Sequence, residues 1–197
     1  LMPLLRYVYS RDWREMGAHM RALLSATGLP VLLYNNPVAY KTDFTPAHIA
    51  ELAAEFPLLQ AVKESSCDIR RFAAIRALIG DRLDLMVGMD DAIVEGVAMG
   101  AVGWIAGVVN AFPAQSVRVF EQARDGGADA AMDLYAWLLP LLRMDTVPKF
   151  VQLIKLMQER VGQGSERVRA PRLVVEGAER DDALRVIDHA LRTRPAL

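Results

Sequence analysis

The stretch "LLQAVKESS" at residues 58–66 places Lys63 directly behind the apolar run of Leu58, Leu59, Ala61 and Val62. Of 23 basic residues only four are lysines (41, 63, 149 and 155), so guanidinium groups meet most of the chain's need for positive charge. A lysine at the end of a core strand is therefore a candidate for what arginine cannot do, because an ammonium can surrender its proton and a guanidinium does not. Tyr34 closes the preceding apolar run, "PVLLYNN" (30–36), and Gly88 closes the following one, "LDLMVG" (83–88). A phenol and an amine can both move protons, and a glycine lets a ligand approach the backbone closely. On position alone a bland reading competes: a strand-end lysine can reach water along a buried stem, and a tyrosine can sit in the core with its hydroxyl satisfied.

The elements that must position these residues follow a clear rhythm. Short β-rich apolar runs occur at 30–36, 58–65, 83–88 and "GWIAGVV" (103–109), each followed by a helix-like segment. Thr45 and Pro46 read as a helix cap and first turn, with Ile49, Leu52, Ala53 and Phe56 at helical spacing and Pro57 as a stop. In "DIRRFAAIRALIGD" Asp68 caps, Ile69, Phe72, Ile75, Leu78 and Ile79 face inward, and Gly80 ends the helix. "DDAIVEGVAMG" is a short helix. Continuous apolar strands joined by helices imply an α/β fold with a parallel sheet, either a (β/α)8 barrel or an open doubly wound sheet. In both, the C-terminal strand ends face the ligand crevice, so Lys63 and Tyr34 reach one rim from successive strands. No G-x-G-x-x-G follows a strand, which removes support for a dinucleotide site. After residue 125 the pattern is helical only.

Composition bounds the class. A 197-residue chain with 53% hydrophobic residues can fill a sizeable core. A formal charge of -1 gives no overall field for nucleic acid or an anionic membrane. The single cysteine, Cys67, excludes an internal disulfide and suits a cytoplasmic location; it reads as a small filler. His19, His48 and His189 lie far apart on helix-like stretches, so surface positions are expected and no metal site is proposed. Gly96 to Val117 carries no charge and two G-x-x-x-G spacings, but Asn110, Pro113, Gln115 and Ser116 interrupt it; a helix end, a turn and a strand are expected rather than a membrane span.

"YNNP", "VKESS", "VGMDD", "GAVGWIAGVVNAFP" and "VRAPRL", taken in that order, resemble the dihydrodipicolinate synthase and N-acetylneuraminate lyase family over nearly the whole chain. The resemblance implies a (β/α)8 TIM barrel, a homo-oligomer (dimer or, more usually, tetramer), and a lyase without a separate cofactor that acts on pyruvate or another 2-oxo acid through a lysine Schiff base. It places the Schiff-base lysine on Lys63, the proton-relaying tyrosine on Tyr34, and pocket-lining positions on Gly88 and Ile105. Freeing an amine at pH 7 from a pKa of about 10.4 costs roughly 4.6 kcal/mol, which apolar walls would reduce. The iminium then draws electrons from the neighbouring carbon, easing loss of a proton, a hydroxyl or a carbon fragment.

Departures from the family pattern shape the expectation. Ala39 stands where the lysine-biosynthesis enzymes carry a carboxylate-binding arginine, which disfavours dihydrodipicolinate synthesis and favours the dehydratase, deaminase and aldolase branches. The family's aromatic pair after the fourth strand matches Leu4 and Leu5, so the tyrosine relay is expected to be missing or to be replaced by Tyr7 or Tyr9. The match begins near the family's fourth strand and no G-x-x-GE loop is found, so an incomplete barrel is expected: its second half over residues 1–125, then a helical extension over 126–197. A catalytically silent fragment or interaction module, and a binding protein on an open sheet, are the alternatives.

Overall fold

The computed structural model describes residues 12–196. Its elements run α1 (Trp13–Ser25), β1 (Val31–Asn35), α2 (Pro37–Tyr40), α3 (Pro46–Glu55), β2 (Leu59–Glu64), α4 (Arg70–Ile79), β3 (Asp84–Val87), α5 (Ile93–Ala98), β4 (Gly103–Trp104), α6 (Pro113–Leu142), α7 (Phe150–Arg160) and α8 (Gly177–Arg192). Short 3-10 turns lie at Asp90–Ala92, Val108–Asn110 and Arg143–Asp145. Among the described residues four strands form one sheet in the order β1-β2-β3-β4, every neighbouring pair parallel. This is the α/β order of consecutive barrel strands, each returned to the same end by a helical crossover.

The chain divides into two compact units. The first comprises the residues up to Met89 together with Glu95–Ile105, and holds the sheet. Side chains alternate across a strand, and here the alternation separates two rows. Leu33, Val62, Leu85 and Val87 are buried in one row and Tyr34, Lys63 and Met86 half-buried in the other, while Val31, Leu59 and Ala61, beside the register shift that opens β1 and β2, are also buried. α3 packs on β2 and against α4, contributing Ile49, Leu52, Ala53, Phe72 and Ile75 to the core. Thr45 caps α3 in a capping box closed by His48, whose ring stacks on Trp13 at 4.0 Å between centroids. His48 is thus half-buried packing, not the surface residue its helical position suggests. The Arg82 guanidinium donates to the carbonyls of Ala53, Phe56 and Leu59, satisfying the end of α3.

The second unit comprises Asp90–Val94 and the residues from Ala106 onward. Asp90 is fully buried, and its carboxylate accepts from the backbone N–H groups of Gly107 (3.0 Å) and Val108 (2.7 Å). The Tyr135 hydroxyl donates to the Asp91 carbonyl at 2.5 Å. α6 is two helical stretches joined at a kink, where Gly127, at φ 78 and ψ -179, takes a non-helical conformation open only to glycine.

Three local expectations are corrected. The run at 103–109 pairs as a strand only over Gly103–Trp104; the chain then turns, and Val108–Asn110 is 3-10. Leu78 faces solvent (57% exposed), because α4 buries only a narrow stripe centred on Phe72 and Ile75. Cys67 is exposed rather than a filler, and it adopts φ 66, the left-handed region that favours glycine. Gly96 to Val117 is divided among α5, β4, a 3-10 turn and the start of α6, and no described helix is long and apolar enough to cross a membrane.

Candidate active site

The parallel register aligns Tyr34 with Lys63, Lys63 with Met86, and Met86 with Gly103, so one row of four residues crosses the sheet near its C-terminal rim. Within this row the Lys63 ammonium lies 4.5 Å from the centroid of the Tyr34 ring. A cation at that distance is attracted to the ring face, which orders a side chain that otherwise has many rotamers. Lys63 is half-buried, so the apolar walls expected around it enclose only part of the side chain. The Tyr34 hydroxyl accepts from Asn36 Nδ2 at 2.8 Å, which leaves its own proton to donate elsewhere. Tyr40 sets its ring edge-on to Tyr34, with centroids 5.8 Å apart. Burial pushes the Tyr40 hydroxyl above its ordinary value, aided by the neighbouring Tyr34.

Gly88 lies just past β3 and donates its N–H to the Glu64 carbonyl at 2.9 Å. A Cβ at this position would stand 1.9 Å from Ser65 Oγ, 2.8 Å from Lys63 Cε and 2.9 Å from Lys63 Cγ. Only a bare backbone fits between the lysine stem and the serine. Ile105 continues the ladder beyond β4, its N–H donating to Val87 O at 3.0 Å, and its side chain is 43% exposed. Lys63, Tyr34 and Gly88 are therefore drawn together at one rim, and Ile105 stands at the same end of the sheet's edge strand. Lys41 is exposed and donates to the Val38 carbonyl at 2.7 Å. Leu4, Leu5, Tyr7 and Tyr9 lie outside the described residues.

Three residues that carried no functional expectation complete the site. Ser65 is 1% exposed and its hydroxyl finds no partner among the described residues. A buried, unsatisfied hydroxyl is costly, and this one sits beside the lysine stem under the Gly88 backbone. Asn35 (0% exposed) and Glu64 (2% exposed) form the next row of the register, on the opposite face from the amine. Asn35 Nδ2 donates to Glu64 Oε2 at 2.9 Å and to Phe44 O at 3.1 Å, while its Oδ1 accepts from Phe44 N at 3.0 Å. Glu64 Oε1 accepts from the Ser66 N–H at 2.6 Å. Burial pushes the Glu64 carboxyl up, opposed by the bonds from Asn35 and Ser66 and by the charge of Arg71. Arg71 grips Asp43 through a two-pronged pair (2.6 and 2.8 Å) and holds that carboxyl below its usual range. The network ties the ends of β1 and β2 to the loop bearing Ser65, and so fixes where Tyr34 and Lys63 stand.

A model of the dihydrodipicolinate synthetase family matches residues 2–190. The chain belongs to this family. Its curated relatives include a 4-hydroxy-tetrahydrodipicolinate synthase from Xanthomonas axonopodis pv. citri, 32% identical over 174 residues, which is 88% of this chain and 57% of the relative. An uncharacterized DapA-like lyase from Pyrobaculum arsenaticum is 31% identical over 138 residues, 70% of this chain and 46% of the relative. Among solved structures, a provisionally named dihydrodipicolinate synthetase from Pseudomonas aeruginosa superposes with a TM-score of 0.85 at 26% identity, covering 93% of this chain and 63% of that one. The chain thus spans about half the length of the curated relatives it matches. The four parallel strands and their crossovers are part of the family's barrel.

Proposed function

We propose that this chain carries the amine-bearing half of a Schiff-base lyase acting on pyruvate or a hydroxylated 2-oxo acid. The observation that carries the reading is the Lys63 ammonium poised 4.5 Å from the Tyr34 ring centroid on adjacent parallel strands, at the end of the sheet where barrel enzymes bind their substrates. Lys63 Nζ, once deprotonated, attacks the keto carbon; the keto oxygen leaves as water and a protonated imine remains. That iminium accepts electron density from the adjacent carbon, so a proton, a hydroxyl or a carbon fragment departs more easily. Tyr34 delivers and recovers protons at the reacting oxygen, and its hydroxyl has a proton to give because Asn36 occupies only its acceptor side. Gly88 leaves room for the lysine stem and for the buried Ser65 beside it.

The choice among branches rests on Ala39. Its position in α2 is exposed and offers no guanidinium for a second carboxylate, which supports a dehydratase, deaminase or aldolase over dihydrodipicolinate synthesis. Tyr40, edge-on to Tyr34, adds an aromatic wall that suits hydroxylated or aromatic 2-oxo acids. Assembly into a dimer or tetramer belongs to the same proposal. Incubation with pyruvate and borohydride, followed by peptide mass mapping, tests the central step. A reduced adduct on Lys63 is expected. Labelling of Lys41, Lys149 or Lys155 instead refutes the assignment, and absence of any adduct supports the alternative of a catalytically silent fragment.

A further inference from the structure

α7 presents Val151 and Lys155, one helical turn apart, toward the irregular segment that carries Arg167, Val168, Arg169 and Arg172. These six residues line a hollow of about 440 Å³, a size suited to a small ligand. Within the segment a turn is closed by the Arg172 N–H donating to Arg169 O at 3.1 Å, and its three arginines all belong to the lining. No carboxylate lines the hollow. Elsewhere in the described residues cations are mostly answered: Arg21 by Glu51 and Glu55, Arg71 by Asp43, Arg124 by Asp125 and Arg160 by Asp188. Lys155, Arg167, Arg169 and Arg172 make no ion pair among the described residues. Of the acidic groups nearest in sequence, Glu166 pairs with Arg180 and Glu159 accepts from the Glu166 N–H at 2.8 Å, while the exposed Glu176, four residues past Arg172, is not part of the lining.

Four positive side chains converging without a counter-charge repel one another, and an anion in their midst removes that repulsion. We propose that this hollow is a binding site for a small phosphate-bearing molecule. A phosphate group at neutral pH brings a charge of roughly -1.5 to -2 and three acceptor oxygens, which several guanidinium forks can share. Group for group a carboxylate offers one charge and two oxygens, so a two-carboxylate ion such as malonate brings less charge and fewer oxygens to the same four donors than a two-phosphate ion. Val151 and Val168 supply an apolar floor for the organic part of the ligand. The site is a closed group of residues and the chain's formal charge is -1, so an extended polyanion such as nucleic acid has no track to follow. The site lies wholly in the second unit and does not depend on the amine chemistry of Lys63.

The test titrates the full chain with pyrophosphate, inorganic phosphate and malonate by calorimetry at low salt. Saturable binding of pyrophosphate is expected, with malonate at least tenfold weaker. The double substitution Arg167→Ser and Arg169→Ser removes exposed side chains and should weaken pyrophosphate at least tenfold, with the thermal unfolding midpoint unchanged. Arg118→Ser, which removes an exposed arginine outside the hollow, should leave binding as it was. Absence of saturable binding, equal binding of malonate, or binding indifferent to the double substitution overturns the proposal.

Discussion

Replacing Gly88 with alanine tests the geometry around the amine most directly. The added methyl would lie 1.9 Å from Ser65 Oγ and 2.8 to 2.9 Å from Lys63 Cε and Cγ. Taking about 3.5 Å as a comfortable separation, the serine oxygen must retreat by roughly 1.6 Å and the lysine stem by roughly 0.6 Å. Lys63 Cε can swing aside, but Cγ is fixed to the backbone through one rotatable bond, so it clears the methyl only by changing rotamer or by moving the strand. Ser65 is buried and has little space to enter. Overpacking of this kind costs about 1–3 kcal/mol of stability. Displacing a reacting group by about 1 Å costs up to about a hundredfold in rate. Gly88→Ala should therefore slow formation of the borohydride-trapped pyruvate adduct on Lys63 by about ten- to a hundredfold, read as labelled fraction against time by mass spectrometry. Combining it with Ser65→Gly removes the serine clash but not the lysine clash, so stability should recover in part while trapping stays slow. A folded Gly88→Ala chain that traps pyruvate at the parental rate would refute the placement of Lys63 described above.

Further predictions concern the supporting structure. Asn35→Ala strips partners from Glu64 Oε2 and from both backbone groups of Phe44, and should lower unfolding free energy by about 3 kcal/mol in urea titrations. A cost below about 1 kcal/mol would show that the network does not fix the strand ends. The Asp43 carboxyl is held below its ordinary value by Arg71, so its contribution is present above that value of 3.8 and is lost as pH falls through the lower, folded value. The stability gap between the parent and Asp43→Asn should accordingly be widest near neutrality and close in acid; a gap constant between the two conditions contradicts the pairing. Gly127→Ala meets no neighbouring atom, so its cost is purely conformational, about 1–3 kcal/mol in a thermal or urea melt. No change on substitution would mean that α6 does not need its bend.

The parallel order and the rim position of Tyr34 and Lys63 were legible because strands buried under helices read as unbroken apolar runs, and each run here stops at a residue of different chemistry. β4 was overread. Its apolar run continues past residue 104, but apolar content says nothing about pairing, and Asp90 captures the backbone at Gly107 and Val108. Asn35 and Glu64 carry no such mark, because a carboxylate and an amide beside active residues look solvated in a one-dimensional string. The available signal was alternation: residues following Tyr34 and Lys63 must point away from them, toward the helices. α1 also had a signal in Met16, Met20 and Leu24 at four-residue intervals. The cationic hollow had none, since Lys155 and Arg167 to Arg172 meet only when α7 and the following segment fold against each other.

The buried bond between Asn35 and Glu64 also bears on how the chain finds its pairing. Sliding β2 by one position against β1 would trade the two rows, thrusting an ammonium beneath the helices and turning a carboxylate toward the rim. That misaligned state loses the amide–carboxylate bond and strands a charge at the same moment, so the correct pairing is favoured twice over. A polar pair out of reach of any ligand thus works as a proofreading device for the reactive one beside it.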